Sequence, residues 1–219
     1  MSYSLNTTII KPISNQKPKN AVILCHGYGG DGKDISILAN YWKNFLPDTV
    51  FICPDAPETC SVNPSGFQWF DLTSDSSDQI LTQSIVAEIK LNKFIDEVKE
   101  SYNLEADKIS LCGFSQGSMI SLQTGIKRKD TINSIISYSG KIINIEHLKD
   151  NIISRPAIIL MHGDKDSVVA INFYLEAKEF FKNNNYEIQS KIFNNCEHRI
   201  PQEGSSLGLN FVKKNLYQL

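Results

Sequence analysis

No stretch of this 219-residue sequence is apolar for long enough to cross a bilayer: the longest runs, at 21–25 and 157–161, are five residues each. A membrane-spanning helix needs roughly 18–20. The chain also lacks a secretory leader pattern, because residues 1–20 mix Ser, Thr, Asn and Lys without a basic start and an unbroken apolar segment; the expected location is cytoplasmic. There is no excess of charge of one sign. Basic side chains number 22 and acidic ones 24, a net charge of −2, and the 19 Lys and 3 Arg are dispersed, which excludes a polybasic nucleic-acid or membrane-surface binder. Lys127-Arg128-Lys129 is the one basic cluster, read as the positive complement to a helix C-terminus. Cysteine is sparse. The five residues at 25, 53, 60, 112 and 196 form neither C-x-x-C pairs nor a disulfide framework, so reduced thiols, mostly in the core, are expected.

What is present suits a packed fold. Hydrophobic residues make up 41% and charged residues 21%, in the range of globular rather than disordered chains. No repeat or composition shift marks a linker, so residues 1–219 are read as one domain, with 1–20 an N-terminal extension forming an edge strand or hairpin. Short apolar, β-branched runs at 21–25, 50–53, 108–112 and 157–161 each end in Gly, Pro or His-Gly, as buried parallel strands end in loops. A further strand is expected over 187–193. Helical spacing occupies 35–46, 81–102, 115–128, 171–183 and 207–216; in the fourth, Ile171, Tyr174, Ala177 and Phe181 form a stripe with Phe173 and Phe180 beside it. Strands alternating with helices predict an α/β architecture: a mostly parallel central sheet, helices on both faces and chemistry at the carboxyl ends of the strands. The length leaves no room for a large cap domain. The one long irregular stretch, 54–79, carries Phe67, Trp69 and Phe70 and is read as a wall of a binding pocket.

Gly113-Phe114-Ser115-Gln116-Gly117 matches G-x-S-x-G between a predicted strand and a predicted helix, the context in which that pattern presents a serine on a sharp turn. A serine hydroxyl needs a base within hydrogen-bond reach and a third group to orient the base. In chain order, Asp164 and Asp166 follow one strand end and His198 follows another. His198 is the candidate base, because His26 and His162 precede glycines on the wrong side of that order and His147 lies in a polar, surface-type segment. Asp166 is the candidate orienting acid, with Asp164 a turn residue that satisfies loop amides. A metal site would need ligand spacing that these His and Asp positions lack.

With these residues in place, the chain resembles the small carboxylesterase/phospholipase family of the α/β-hydrolase fold, which includes acyl-protein thioesterases. The likeness runs from about residue 21 to 216 and rests on His26-Gly27-Tyr28-Gly29, Trp69-Phe70-Asp71, Gly113-Phe114-Ser115-Gln116-Gly117 and His162-Gly163-Asp164-Lys165-Asp166. It implies a Ser115, Asp166 and His198 triad and an oxyanion hole made by the backbone amides of Tyr28 and Gln116. It also implies a Trp-Phe-Asp loop beside the acyl pocket, so that Phe67, Trp69 and Phe70 are expected to bind substrate. Tyr28 stands where the family usually has a smaller aliphatic residue. The expected activity is a serine carboxylesterase acting on short- to medium-chain acyl esters through an acyl-enzyme, without metal or organic cofactor. Within enzymes the alternative is an acyl-protein thioesterase or lysophospholipase; from another class, it is a ligand-binding protein that kept the fold and lost catalysis. The expected partner is a small or lipid-like acyl ester or thioester, not nucleic acid, and weak homodimers occur among proteins of the resembled type.

Overall fold

The computed structural model describes residues 3–73 and 76–217. In chain order the elements begin β1 (Thr7–Ile10), β2 (Asn20–Cys25), α1 (Gly32–Trp42), β3 (Thr49–Pro54), β4 (Glu58–Thr59), β5 (Phe67–Gln68) and α2 (Ser77–Tyr102). They continue with β6 (Ile109–Phe114), α3 (Gln116–Lys127), β7 (Ser134–Tyr138), α4 (Ile145–Asp150), β8 (Ala157–Gly163), α5 (Ile171–Asn183), β9 (Ile188–Phe193) and α6 (Gln202–Tyr217). Seven strands form one sheet in the order β1-β3-β2-β6-β7-β8-β9. All neighbours run parallel except β1, which lies antiparallel against β3 with Ile9 opposite Ile52. This is the α/β-hydrolase arrangement, with no large cap domain among the described residues. No helix among them is long and apolar enough to cross a membrane.

The two faces of the sheet follow from the period of two along each strand. In β2, Ala21, Ile23 and Cys25 face a core shared with Leu91 and Phe94 of α2, Ile120 of α3 and Phe181 of α5. Val22 and Leu24 face the other core, with Trp42 of α1 and Val212 of α6. Helix starts obey capping chemistry. Asp31 accepts the amide of Asp34 at 2.7 Å before α1, and Ser76 caps α2 four residues earlier than helical spacing predicts. Two of the three basic residues closing α3 are paired: Lys127 reaches Glu88 at 2.7 Å, and Arg128 reaches Asp96 and Asp130.

β7 has no counterpart among the sequence expectations. It contains only two consecutive aliphatic residues, and its two serines are buried by pairing: Ser134 Oγ lies 2.8 Å from Ser110 Oγ, and Ser137 Oγ lies 2.6 Å from Ser118 Oγ. A buried hydroxyl is tolerated when another satisfies it, so a central strand need not be apolar throughout. Within the stretch 54–79, β4 and β5 pair as a short antiparallel hairpin.

Candidate active site

Ser115 occupies the turn between β6 and α3 with φ 54° and ψ −120°, a region that disfavours side chains and costs on the order of 1–3 kcal/mol. The surroundings hold it there. Its amide donates to Tyr138 O at 2.9 Å, and its carbonyl accepts from Ser118 and Met119. The flanking glycines allow the approach: a Cβ on Gly113 would stand 2.2 Å from Gly117 O, and one on Gly117 would stand 2.0 Å from Cys25 O.

Asp166 lies on the loop after β8 with its side chain fully buried. Oδ1 accepts the amides of Val168 (3.0 Å) and Val169 (2.8 Å), and Oδ2 stands 2.8 Å from His198 Nδ1. Burial pushes this carboxyl's pKa up, but the hydrogen bonds from His198, Val169 and Val168 outweigh it, and the pKa lies below the usual carboxylate value. His198, on the loop between β9 and α6, packs against Phe114 with ring centroids 4.8 Å apart and ring planes tilted by 40°. With Nδ1 used by Asp166, Nε2 is the ring nitrogen left for chemistry. Asp164 serves otherwise: its Oδ1 accepts the amide of Cys196 at 3.2 Å, tying the two loops together.

The other two strand-end histidines are structural. His162 is buried, with Nε2 2.7 Å from Val169 O and 3.4 Å from Asp166 Oδ2; the carbonyl requires Nε2 to carry the proton, and desolvation lowers the ring's pKa. His26 donates from Nδ1 to Gly27 O (2.7 Å) and accepts the amide of Ala56 at Nε2 (2.9 Å), so it is a neutral clamp under the loop that carries Tyr28. Its pKa too is lowered by burial.

The amides of Tyr28 and Gln116 donate to no acceptor among the described residues, and a Cβ on Gly27 would lie 3.3 Å from Ser115 Cβ. The Tyr28 loop therefore runs beside the serine. Its side chain turns outward, with the hydroxyl 2.7 Å from Ser61 Oγ and 3.3 Å from Asp71 Oδ1.

Ser115, His198 and Tyr28 line one cavity of about 400 Å3. Ser115 Oγ makes no hydrogen bond there among the described residues, and it shares the cavity with the imidazole. The remaining wall includes Leu72, Met119, Lys141, Val168, Val169 and Phe173, none of which sequence reasoning selected. In the sequence, Phe173 stands only beside the α5 stripe. Phe67, Trp69 and Phe70, expected to bind substrate, are not among the residues that border this cavity. Trp69 and Phe70 are 1% exposed and belong to the core, Phe67 packs half-buried against the same core, and the loop reaches the cavity through Leu72. The physical reason is a clasp: Trp69 donates its amide to Gln116 Oε1 and its indole N–H to His26 O, and Gln116 Nε2 donates to Phe70 O.

A second hollow of about 870 Å3 runs between α1 and α6. It shares Phe114 and His198 with the first and is lined further by the exposed side chains of Ile37, Tyr41 and Phe45. Among the described residues no cluster of three or more His, Cys, Asp or Glu could hold a metal ion.

Residues 6–216 match the family model described as phospholipase/carboxylesterase. Acyl-protein thioesterase 1 of Saccharomyces cerevisiae is 29% identical over 92% of this chain and 95% of its own length. Esterase YpfH of Escherichia coli is 24% identical over 91% of this chain and 85% of its own. Among solved structures, esterase PE8 superposes with a TM-score of 0.92 at 33% identity, covering 97% of this chain and 99% of that one. Acyl-protein thioesterase 2 of Zea mays shares the fold, with a TM-score of 0.78 at 21% identity over 96% of this chain and 99% of its own.

Proposed function

Because this chain belongs to the phospholipase/carboxylesterase family and is a serine hydrolase of the α/β-hydrolase type, we propose that it cleaves short- to medium-chain acyl esters through an acyl-enzyme on Ser115. The observation that carries this reading is the Asp166–His198 pair, 2.8 Å apart, whose imidazole opens onto the cavity that also holds the strained serine. In the first half-reaction, Ser115 Oγ attacks the carbonyl carbon while its proton passes to His198 Nε2. The imidazolium is stabilised by Asp166, which also fixes the tautomer with the proton on Nδ1. The amides of Tyr28 and Gln116 receive the developing oxyanion, each such donor being worth on the order of 10²- to 10³-fold. His198 then protonates the departing oxygen as the C–O bond breaks. In the second half, it takes a proton from water, whose oxygen forms the new bond to the acyl carbon, and returns that proton to Ser115 Oγ as the acyl C–Oγ bond breaks. No step calls on a metal or organic cofactor.

The 400 Å3 cavity is at the small end of ligand pockets, roughly 300–1,000 Å3, which supports short to medium acyl chains. His198 must protonate the leaving group and is shared by both hollows, so the α1–α6 groove is assigned to the leaving group. A thioester is the second reading, favoured by the acyl-protein thioesterases among the relatives. The five buried, unpaired cysteines fit a reducing compartment and support a cytoplasmic location. The test is hydrolysis of p-nitrophenyl esters from acetate to palmitate, beside an S-acylated peptide, by wild type and Ser115→Ala. Activity on the shorter esters that vanishes in the variant is expected. Undiminished activity in Ser115→Ala would overturn the assignment, and a strong preference for the S-acyl peptide would select the thioesterase reading.

A further inference from the structure

The cavity beside Ser115 contains one lysine, and its position is built rather than incidental. Lys141 follows β7 through Ser139, at φ 47°, and Gly140, where an added Cβ would come within 2.2 Å of Ser118 Oγ and 3.4 Å of Ser115 O. The chain therefore folds tightly over the start of α3 and delivers Lys141 to the cavity wall. Its Nζ sits 4.6 Å from the centroid of the Phe173 ring on α5, a cation–π contact that aligns the ammonium with an apolar surface.

The neighbours of that ammonium within the cavity are apolar. Leu72, Met119, Val168 and Val169 contribute the rest of that wall, and no Asp or Glu lines the cavity. Lys141 enters no ion pair and no hydrogen bond among the described residues, and its ammonium meets the Phe173 ring. A cation held against apolar walls, in a space that a ligand fills, favours a ligand with an anion at that point.

We propose that Lys141 selects esters whose acyl part carries a second, free carboxylate, that is, monoesters of dicarboxylic acids. The inference rests on the Ser115 reading above and deepens it by naming the acyl class. Water adds across the ester bond as in any hydrolysis, the distal carboxylate is unchanged, and the products are a dicarboxylic acid and an alcohol. Lys141 acts as a specificity residue with no part in proton transfer.

The test compares each monoethyl ester of succinic, glutaric and adipic acid with its own uncharged diethyl ester. The enzymes are wild type, Lys141→Met, which keeps the stem over Phe173, and Lys141→Arg, which keeps the charge. At the chain length that spans the cavity, wild type should favour the monoester by about tenfold in kcat/KM, the size of one charge-assisted contact. Lys141→Met should lose that preference through a raised KM for the monoester, and Lys141→Arg should retain it. A wild type that prefers the diester at every length, or a Lys141→Met variant that keeps the preference or loses both activities equally, overturns the proposal. So does a preference for the acetyl ester of glycolic acid, which carries its charge on the alcohol side. Calorimetric titration with the dicarboxylates themselves needs no turnover: weaker binding by Lys141→Met is expected, and equal affinity overturns the inference. Ser115→Ala, run on the diethyl esters, reports separately on the serine reading.

Discussion

The side-chain amide of Gln116 accepts the backbone N–H of Trp69 at 2.8 Å, and the same amide donates to Phe70 O at 2.7 Å. The residue whose own backbone amide is proposed for the oxyanion hole is thus the anchor of the Trp69 loop, and all the atoms involved are buried. Gln116→Met keeps the bulk and orphans a buried donor and a buried acceptor, at about 1–3 kcal/mol each. Thermal unfolding should show a Tm lowered by roughly 4–12 °C. A Tm equal to wild type would mean that the loop is held by its aromatic packing alone.

Ser115 is held at φ 54° for function rather than stability. Glycine relieves that conformation and alanine does not. Both Ser115→Gly and Ser115→Ala should be inactive, and Ser115→Gly should be the more stable, by about 1 kcal/mol in urea unfolding. The opposite order would show that the turn is unstrained.

Asp166 and Asp164 are two residues apart and do different work. Asp166 faces His198 Nδ1, and Asp164 faces the Cys196 amide. Asp166→Asn presents a donor or a neutral acceptor to the imidazole and should lower kcat on the order of 10⁴-fold. Asp164→Asn can still accept the amide and should leave kcat near wild type. Steady-state kinetics of the two variants decide the matter, and the reverse ranking would transfer the orienting role to Asp164.

His162 is buried with its pKa below the ordinary 6.5, so the unfolded chain binds a proton at a pH where the folded one does not. Stability linked to this group is complete above the unfolded value and is lost as pH falls from there through the lower folded value. His162→Gln can keep a donor for Val169 O while removing the titration. Urea unfolding between pH 7.5 and 5 should show a flatter pH dependence for this variant. A slope identical to wild type would assign the acid sensitivity elsewhere, His26 being the next candidate because burial lowers its pKa as well.

Much of the fold was legible because buried parallel strands must be apolar on both faces. The runs containing Ile23, Ile52, Leu111 and Ile159 therefore announce themselves, and the helices between them repeat at helical spacing. β7 was not legible. Ser134 and Ser137 look solvent-facing until Ser110 and Ser118 are brought opposite them, and sequence proximity says nothing of that pairing. The reach of α6 back to Gln202 was hidden by Gly204, which weakens a helix in isolation but lies on its buried face here.

The same division runs through the site. The serine was readable because a strand–turn–helix elbow needs small residues at fixed offsets, and the order Ser115, Asp166, His198 followed from strand ends that the sequence marks. What borders the cavity was decided only by tertiary structure. Aromatic residues in a loop look like pocket lining, yet Trp69 and Phe70 gain more by joining the core, where Gln116 and His26 satisfy their polar groups. Lys141 and Phe173 come from the end of β7 and the first turn of α5, more than thirty residues apart, and meet only because the parallel crossover through β8 brings both to the carboxyl edge of the sheet.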